Sequence, residues 1–512
     1  MFRAVVFCTV GAIIALCDAA TPCRADAVAD ALVGRWYGIN VAQQGDLHSE
    51  DFFDYEFIRD PQGLLFRDNG RFVMVGEPVR VTVSPDGTVR AEWQQMMQVS
   101  RSIVARLVEN GATLDAHIGT GGFMEGAGDL QVRLTRASPE NATYLAPRAV
   151  DGRKVTRYSY SLPQQIAGSW PVATPESVGI ERAPLVELAN EILREGDHVG
   201  DRRTDGVLVL RHGKLVFEEY FWGMRRELTH IIASDTKSIS ATLAGIAIDQ
   251  GKLGLDEPVT RFFPKYSERL WLREKYPIRV RDLLSMTAGV EWPDKSAATG
   301  DFMRRMLQSG DHVGFVLDLR AVEPPGKVYT YNNGLPILLG EILTQALGEP
   351  VDVFADRQLF KPLGIRNYTW TKLPSGIPWL TGGMTMPPRD MAKIGQLMLN
   401  KGVWEGKRLV SKDWVTLATM RQTRPSEYPY GFLWHLSSAA APWHGQPSYF
   451  GPVDRYDAFT AIGQGGQIIM VLPEVDVVVV IVSSNWMPGF VNGFPTDLVN
   501  RYIIPAIRPA QR

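Results

Sequence analysis

Between Leu32 and about Ala137 the chain is written in short runs that alternate apolar and polar residues: "DFFDYEFI", "RFVMVG", "VRVTVS", "TVRAEW", "IVARLV" and "LQVRLT". A period of two places alternate side chains on one face, so each run reads as a half-buried strand. Turn signals "DNG", "PDG" and "ENG" separate them. Strands this short and this regular confine the stretch to a small barrel or sandwich. Its tryptophan in "LVGRWYG", Trp36, fits the plug of a β-core. Nothing in it points to chemistry.

The texture then changes. Residues 138–173 are rich in Pro, Ser, Thr and Arg and read as a linker with some β content. From Thr174 a helix is expected over "APLVELANEILREG", then a hairpin, "GVLVLRHGKLVFEEYF", turning at His212-Gly213. "SDTKSISATLAGIAIDQGKLG" has helical spacing and a glycine stop at Gly251. Further helices follow between Val280 and Met420. Near the end "GQIIMVLPEVDVVVVIVSSN" gives two strands joined at Pro473-Glu474. Strands at both ends with helices between them imply an α+β layered domain. A chain of 512 residues is too long for one ordinary core. The division expected is a leader, 1–27; an all-β domain, 28–137; the linker; and a second domain, 174–512.

The first 27 residues read as an export signal. Arg3 is the charged start, an apolar run follows from Ala4 to Leu16, and Ala25-Asp26-Ala27 suits cleavage after Ala27. An uncleaved anchor is the alternative, but the run is too short to span a bilayer. All three cysteines (Cys8, Cys17 and Cys23) lie in this leader. A chain starting at Val28 would hold no disulfide, thiolate metal site or cysteine nucleophile. The expected location is the periplasm or the exterior.

Composition removes other classes. A formal charge of −2 offers no basic surplus for nucleic acid. Only eight histidines occur, with no HExxH and no close pair, which disfavours a zinc hydrolase. No metal or organic cofactor is expected.

One spacing carries chemistry. Ser234 precedes Lys237 by three residues, and the chain has no other S-x-x-K. If a helix begins near Ser234, the two side chains share a face one turn apart. A serine needs a base beside it, and a lysine can serve only when uncharged. Burial and a helix N-terminus both disfavour the ammonium. The chain's single Y-x-N follows at Tyr331-Asn332-Asn333, just before an amphipathic helix. A tyrosine beside a cation can act as a base, and an asparagine can orient an amide. Glycines at 463, 465 and 466 then mark a close approach of backbone to a ligand, or a bulge.

In this order and spacing these residues resemble the serine β-lactamase and penicillin-binding family, in its class C and esterase branch. The resemblance runs from about Thr174 to Pro505. It includes "QGKLGLDEPVTRFFP", "IRVRDLLSMTAGVEW", "PGKVYTYNNGLPILLGEIL", "LTGGMTMPPRDMAKIGQLMLNKGVWEGKRLVSKDWV" and "YGFLWH". "SDTKS" and the Gly463–Gln467 wording look closest to the 6-aminohexanoate-dimer hydrolases and related esterases. The resemblance implies an antiparallel sheet flanked by helices, with a helical lobe. It makes Ser234 the acylated nucleophile, Lys237 its proton partner and Tyr331 the second acid/base. Asn333 would bind substrate. Gln464, Gly465 and Gly466 would head the strand beside the substrate, and the amide of Gln467 would join that of Ser234 in an oxyanion hole. Family β-lactamases carry Lys-Thr-Gly or His-Thr-Gly at that head; the best-matching residues here are Gln464-Gly465-Gly466. The expected substrate is therefore a small amide or ester. A penicillin-recognising peptidase or lactamase is the second reading, and a non-catalytic binding protein on the same scaffold the third. At the N-terminus, "LVGRWYG" is similar to the opening strand of a lipocalin-like barrel.

Overall fold

The computed structural model describes residues 21–44, 47–68, 78–94, 100–121, 130–136, 157–166, 170–194, 203–222, 224–266, 277–293, 296–443, 445, 453–485 and 494–508. Most of the leader, with Cys8 and Cys17, lies outside them. The chain divides into two compact units, 1–41 with 51–141, and 42–50 with 142–512.

The first unit is a nine-stranded antiparallel sheet preceded by helix α1 (Thr21–Leu32). Its strands are β1 (Gly34–Gln44), β2 (Leu47–Asp60), β3 (Gly63–Asp68), β4 (Val79–Arg80), β5 (Thr82–Val83), β6 (Val89–Gln94), β7 (Ser100–Val108), β8 (Thr113–Gly121) and β9 (Leu130–Arg136). Their order is β4-β3-β2-β1-β9-β8-β7-β6-β5. The two edge strands are consecutive in the chain, with Val81 alone between them. The sheet must curl until its ends meet, which makes a nearly closed barrel and leaves little open edge. The alternation puts Trp36, Tyr55, Phe57, Phe66, Trp93 and Leu134 inside. The indole of Trp36 donates to the carbonyl of Leu32 at 2.8 Å. The Arg136 guanidinium covers the same ring at 4.5 Å. Helix α1 runs through the expected cleavage point, and Ala29 and Leu32, just beyond it, join the core.

The second unit holds a six-stranded antiparallel sheet of order β11-β10-β20-β19-β18-β17. Its strands are β10 (Thr204–Arg211), β11 (Lys214–Tyr220), β17 (His435–Ser437), β18 (Ala458–Gly463), β19 (Gln467–Leu472) and β20 (Val477–Ser483). The first hairpin turns at His212-Gly213, both at positive φ, as a two-residue turn between twisted strands requires. Strands β10, β18, β19 and β20 are buried along their whole length, which explains the unbroken "VVVVIVS" of β20. Small strands β12 (His230–Ile231), β13 (Thr369–Trp370) and β14 (Met384–Met386) form a second sheet, and β15 (Val403–Trp404) pairs with β16 (Lys407–Arg408).

Helix α2 (Arg182–Arg194) opens the unit, and α3 (Asp235–Asp249) packs against β18 and β19. Helices α4 (Val280–Leu284), α5 (Ser296–Gln308), α6 (His312–Leu317), α7 (Leu335–Leu347) and α8 (Val351–Ala355) form the helical lobe around α7. Helix α9 (Pro388–Leu399) crosses β10, β19 and β20, while α10 (Lys412–Ala418) packs on α3.

The described part of the 138–173 segment is not a free tether. Pro171 and Ala173 bond the backbone of Leu215 on edge strand β11, and the Tyr160 hydroxyl donates to Val216 O at 2.9 Å. An edge strand presents unpaired backbone groups, and this segment covers them.

Candidate active site

Helix α3 is apolar or small on nearly every face, and Asp235 to Ala247 are all buried. Such a helix belongs inside a domain, so its N-terminus ends at an internal surface. The chain enters through β12, whose His230 and Ile231 pair with Met386 and Thr385. His230 Nε2 lies 3.1 Å from Asp205 Oδ2, which also accepts from the Ser484 hydroxyl. That cluster ties the entry segment to β10 and the end of β20. Ala233 then takes a positive φ of 46°, a strained conformation for a residue with a Cβ. It turns strand into helix and leaves Ser234 at the N-cap. The amides of Asp235, Thr236 and Lys237 are used by the carbonyls of Ile232, Ala233 and Ser234.

Lys237 sits one turn on. Its Nζ is 2.8 Å from Ser234 Oγ and donates to the carbonyl oxygen of Thr381 at 2.7 Å. The side chain is buried, at 1% exposure. Burial pushes its pKa well below the ordinary lysine value, against an opposing pull from Asp235. Asp235 is itself fully buried, and burial holds its carboxyl well above the usual range, against the pull of Lys237. Burial thus disfavours the charge on both groups. A neutral amine keeps a lone pair that can accept the Ser234 proton.

Tyr331 comes from the turn before α7. Lys237 Nζ lies 5.0 Å from its ring centroid. The turn is braced twice. The Asn332 side chain accepts from Gly334 N at 2.7 Å, and the Thr381 hydroxyl donates to the Asn333 carbonyl at 2.8 Å. Thr381 thus holds both Lys237 and the Tyr-x-Asn turn, and Asn333 is half-buried beside it.

The glycine motif is built differently from the expectation. Gln464, Gly465 and Gly466 are a hairpin turn between β18 and β19, with both glycines at positive φ. Gln467 starts β19, which is an inner strand between β18 and β20, not an edge. Its backbone pairs with Gly463. Its buried amide donates to Ser483 O at 2.6 Å and accepts from Ser483 N at 3.1 Å. The residue brackets two strands. The approach to the nucleophile is made one strand earlier. A Cβ on Gly463 would lie 2.2 Å from the carbonyl oxygen of Ile232, two residues before Ser234. Strand β17 pairs with β18 only at Ala458–Thr460, so Ala461–Gly463 run beyond it.

Two further side chains lie in this neighbourhood without having been expected. Asp235 reads from sequence as an ordinary acidic residue in a first helical turn. His435 heads β17, with its ring 6.2 Å from that of Tyr331. Its only signal is its place at the end of the aromatic run "YPYGFLWH". Residues 486–493 lie outside the described residues, and so does Asn141, which starts an N-x-[ST] triplet; a second triplet starts at Asn367, whose side chain donates to Glu227 O. Among the described residues no group of three His, Cys, Asp or Glu could hold a metal ion, and no helix is long and apolar enough to cross a membrane.

The Beta-lactamase family model matches residues 189–496, more than half of the chain, and the protein belongs to that family. The 6-aminohexanoate-dimer hydrolase of Paenarthrobacter ureafaciens is 27% identical over 293 residues, 55% of this chain and 72% of that one. Esterase EstB of Burkholderia gladioli is 27% identical over 212 residues, 38% of this chain and 53% of its own length. A Bacteroides dorei structure assigned as a beta-lactamase superposes with a TM-score of 0.51 at 19% identity, over 64% of this chain and all but 1% of that one. The last supports the fold alone. The protein is a β-lactamase-related serine hydrolase of the branch that contains the aminohexanoate-dimer hydrolases and esterases.

The buried pair makes a pH prediction. The folded state keeps a proton on Asp235 that the unfolded chain releases above its ordinary pKa of 3.8, so this group costs stability as pH rises past that point. Asp235→Asn removes the cost. Its melting temperature should exceed that of the wild type by several degrees at pH 8, with the gain shrinking toward pH 4 in a calorimetric series.

Proposed function

We propose that this protein is an exported hydrolase of small amides or esters that works through an acyl-enzyme on Ser234. The observation that carries the reading is the 2.8 Å contact between Ser234 Oγ and a fully buried Lys237. Lys237 takes the hydroxyl proton as Oγ attacks the substrate carbonyl carbon. The carbonyl oxygen becomes an oxyanion, held by the Ser234 amide and by a backbone N–H from the Ala461–Gly463 end of β18. Collapse of the intermediate breaks the bond to the leaving group, which takes a proton from Tyr331. Water then attacks the acyl carbon, giving its proton to the Tyr331 phenolate, and Ser234 leaves with the proton returned through Lys237.

The strand beside the nucleophile reads Ala458-Phe459-Thr460-Ala461-Ile462-Gly463 and carries no cation. A lysine or histidine there would meet the carboxylate of a β-lactam or a peptide. Its lack favours substrates without that carboxylate. The names of the two relatives, a 6-aminohexanoate-dimer hydrolase and an esterase, fit an amide or ester substrate. Export rests on the leader sequence; N-terminal sequencing of protein recovered from the medium or periplasm should read from Val28, and an intact Met1 would refute cleavage.

A fluorophosphonate probe should label the wild type at Ser234, located by peptide mass, and leave folded Ser234→Ala unlabelled. Lys237→Met should slow labelling by about 10³-fold. p-Nitrophenyl esters and short linear amides should turn over, and nitrocefin should not. Folded wild type that takes up no label would remove the hydrolase reading.

A further inference from the structure

We infer that His435 is a positioning residue for this acyl transfer, fixing the Tyr331 phenol against Ser234 and Lys237 through a ring contact that Tyr428 holds in place. The inference rests on the acyl-enzyme reading above and extends it to a side chain outside the Ser-Lys-Tyr set.

His435 stands where its backbone cannot drift. It pairs with Thr460 on β18 and bridges to Tyr430. Leu433, two residues earlier, is turned to a positive φ and bonds the carbonyl of Leu284. Trp434 between them is fully buried, edge-on to Phe459. The imidazole is enclosed by three tyrosines. Tyr430 lies edge-on at 4.9 Å, Tyr428 edge-on at 5.6 Å, and Tyr331 tilted at 6.2 Å. Tyr329 stacks on Tyr428 from behind at 5.4 Å.

The polar part of the contact sets the tautomer. The Tyr428 hydroxyl is 2.9 Å from His435 Nδ1. Burial pushes the imidazole down to about 3, so the ring is neutral in ordinary buffers. A neutral ring carries one N–H. With the phenol assigned as the donor to Nδ1, that proton belongs on Nε2. The titratable groups around it are Lys237 from α3, Tyr331 from the turn before α7, and Tyr428 and Tyr430 from the segment before β17.

An apolar ring would fill this pocket without the cost of burying an imidazole. What a histidine adds is a polar ring beside Tyr331, one nitrogen of which the Tyr428 hydroxyl holds in place. Tyr331 must serve two proton transfers from one position, and an error of about 1 Å in such a group costs on the order of 10²-fold in rate. His435 supplies that constraint.

Stopped-flow hydrolysis of p-nitrophenyl acetate separates acylation, read from the burst, from turnover. His435→Phe should lower kcat by roughly 30- to 100-fold while KM stays within about two-fold. His435→Gln, which returns an N–H near the Nε2 position, should recover about ten-fold of the loss. Tyr428→Phe leaves the histidine but frees its ring, and should lower kcat in the same direction by about 3- to 10-fold. Wild-type kcat in His435→Phe overturns the inference. So does a Gln variant no better than Phe with both melting temperatures equally lowered, which marks a purely structural role. If His435→Phe does not fold, Tyr428→Phe decides, and an unchanged kcat there is equally fatal. Probe labelling at Ser234 in the same variants keeps the two claims apart. Labelled wild type with unaffected variants sinks the role of His435 alone, whereas unlabelled wild type sinks the acyl-enzyme and His435 with it.

Discussion

An amine taken out of water loses the hydration that keeps it charged, and it stays buried only if its remaining hydrogens find acceptors. Lys237 has the Thr381 carbonyl and the Ser234 hydroxyl within 2.8 Å. Much of the second unit serves to hold these three groups together. Helix α3 must be buried for the lysine to be neutral, so nearly every residue of its first three turns is apolar, small or hydrogen-bonded. Thr381 must present its carbonyl to one side while its hydroxyl braces Asn333 on the other. The same threonine therefore links the proton acceptor to the turn that carries Tyr331.

Strain and close packing fix the nucleophile itself. Ala233 accepts a left-handed backbone so that Ser234 can stand at the start of a buried helix. The segment before it is held on one side by the Asp205–His230–Ser484 cluster and on the other by β18, where only glycine fits at 463. A nucleophile held this way loses little freedom on binding substrate, which is one source of rate in acyl transfer. Aspartate at 235 is a cost in this setting. Burial disfavours its charge, and its ionisation would draw the lysine back toward the charged, inactive form.

Much of this could be read from the sequence because the signals were local. The S-x-x-K spacing needs only one helical turn to bring its two side chains together. The His212-Gly213 turn and the Gly251 stop are set by backbone preferences at single residues, and the period-two alternation between Leu32 and Ala137 defines strands without reference to partners. Closure of the barrel is less local, but two edge strands one residue apart leave no other outcome. The misplacement of the substrate-facing strand has a clear cause. "GQGGQ" ahead of an apolar run reads alike whether it heads an edge strand or turns a hairpin. The answer lies in how the strands pair: Gly463 sits opposite Gln467 across the turn and β20 takes the other side of β19, which makes β19 an inner strand. Gln467 was then drawn inward by Ser483. Thr381 acts through its carbonyl, which no residue type advertises, and His435 gains its meaning only from tyrosines packed around it.

The central claim is that Lys237 is uncharged in the resting protein and so can accept the serine proton. The direct measurement is an NMR titration of protein carrying 13C at lysine Cε, with Lys237 assigned from the spectrum of Lys237→Met. The account predicts one lysine signal, absent in the variant, that already shows the neutral-amine shift at pH 8. A Lys237 signal that stays in the ammonium position up to pH 10 would contradict it.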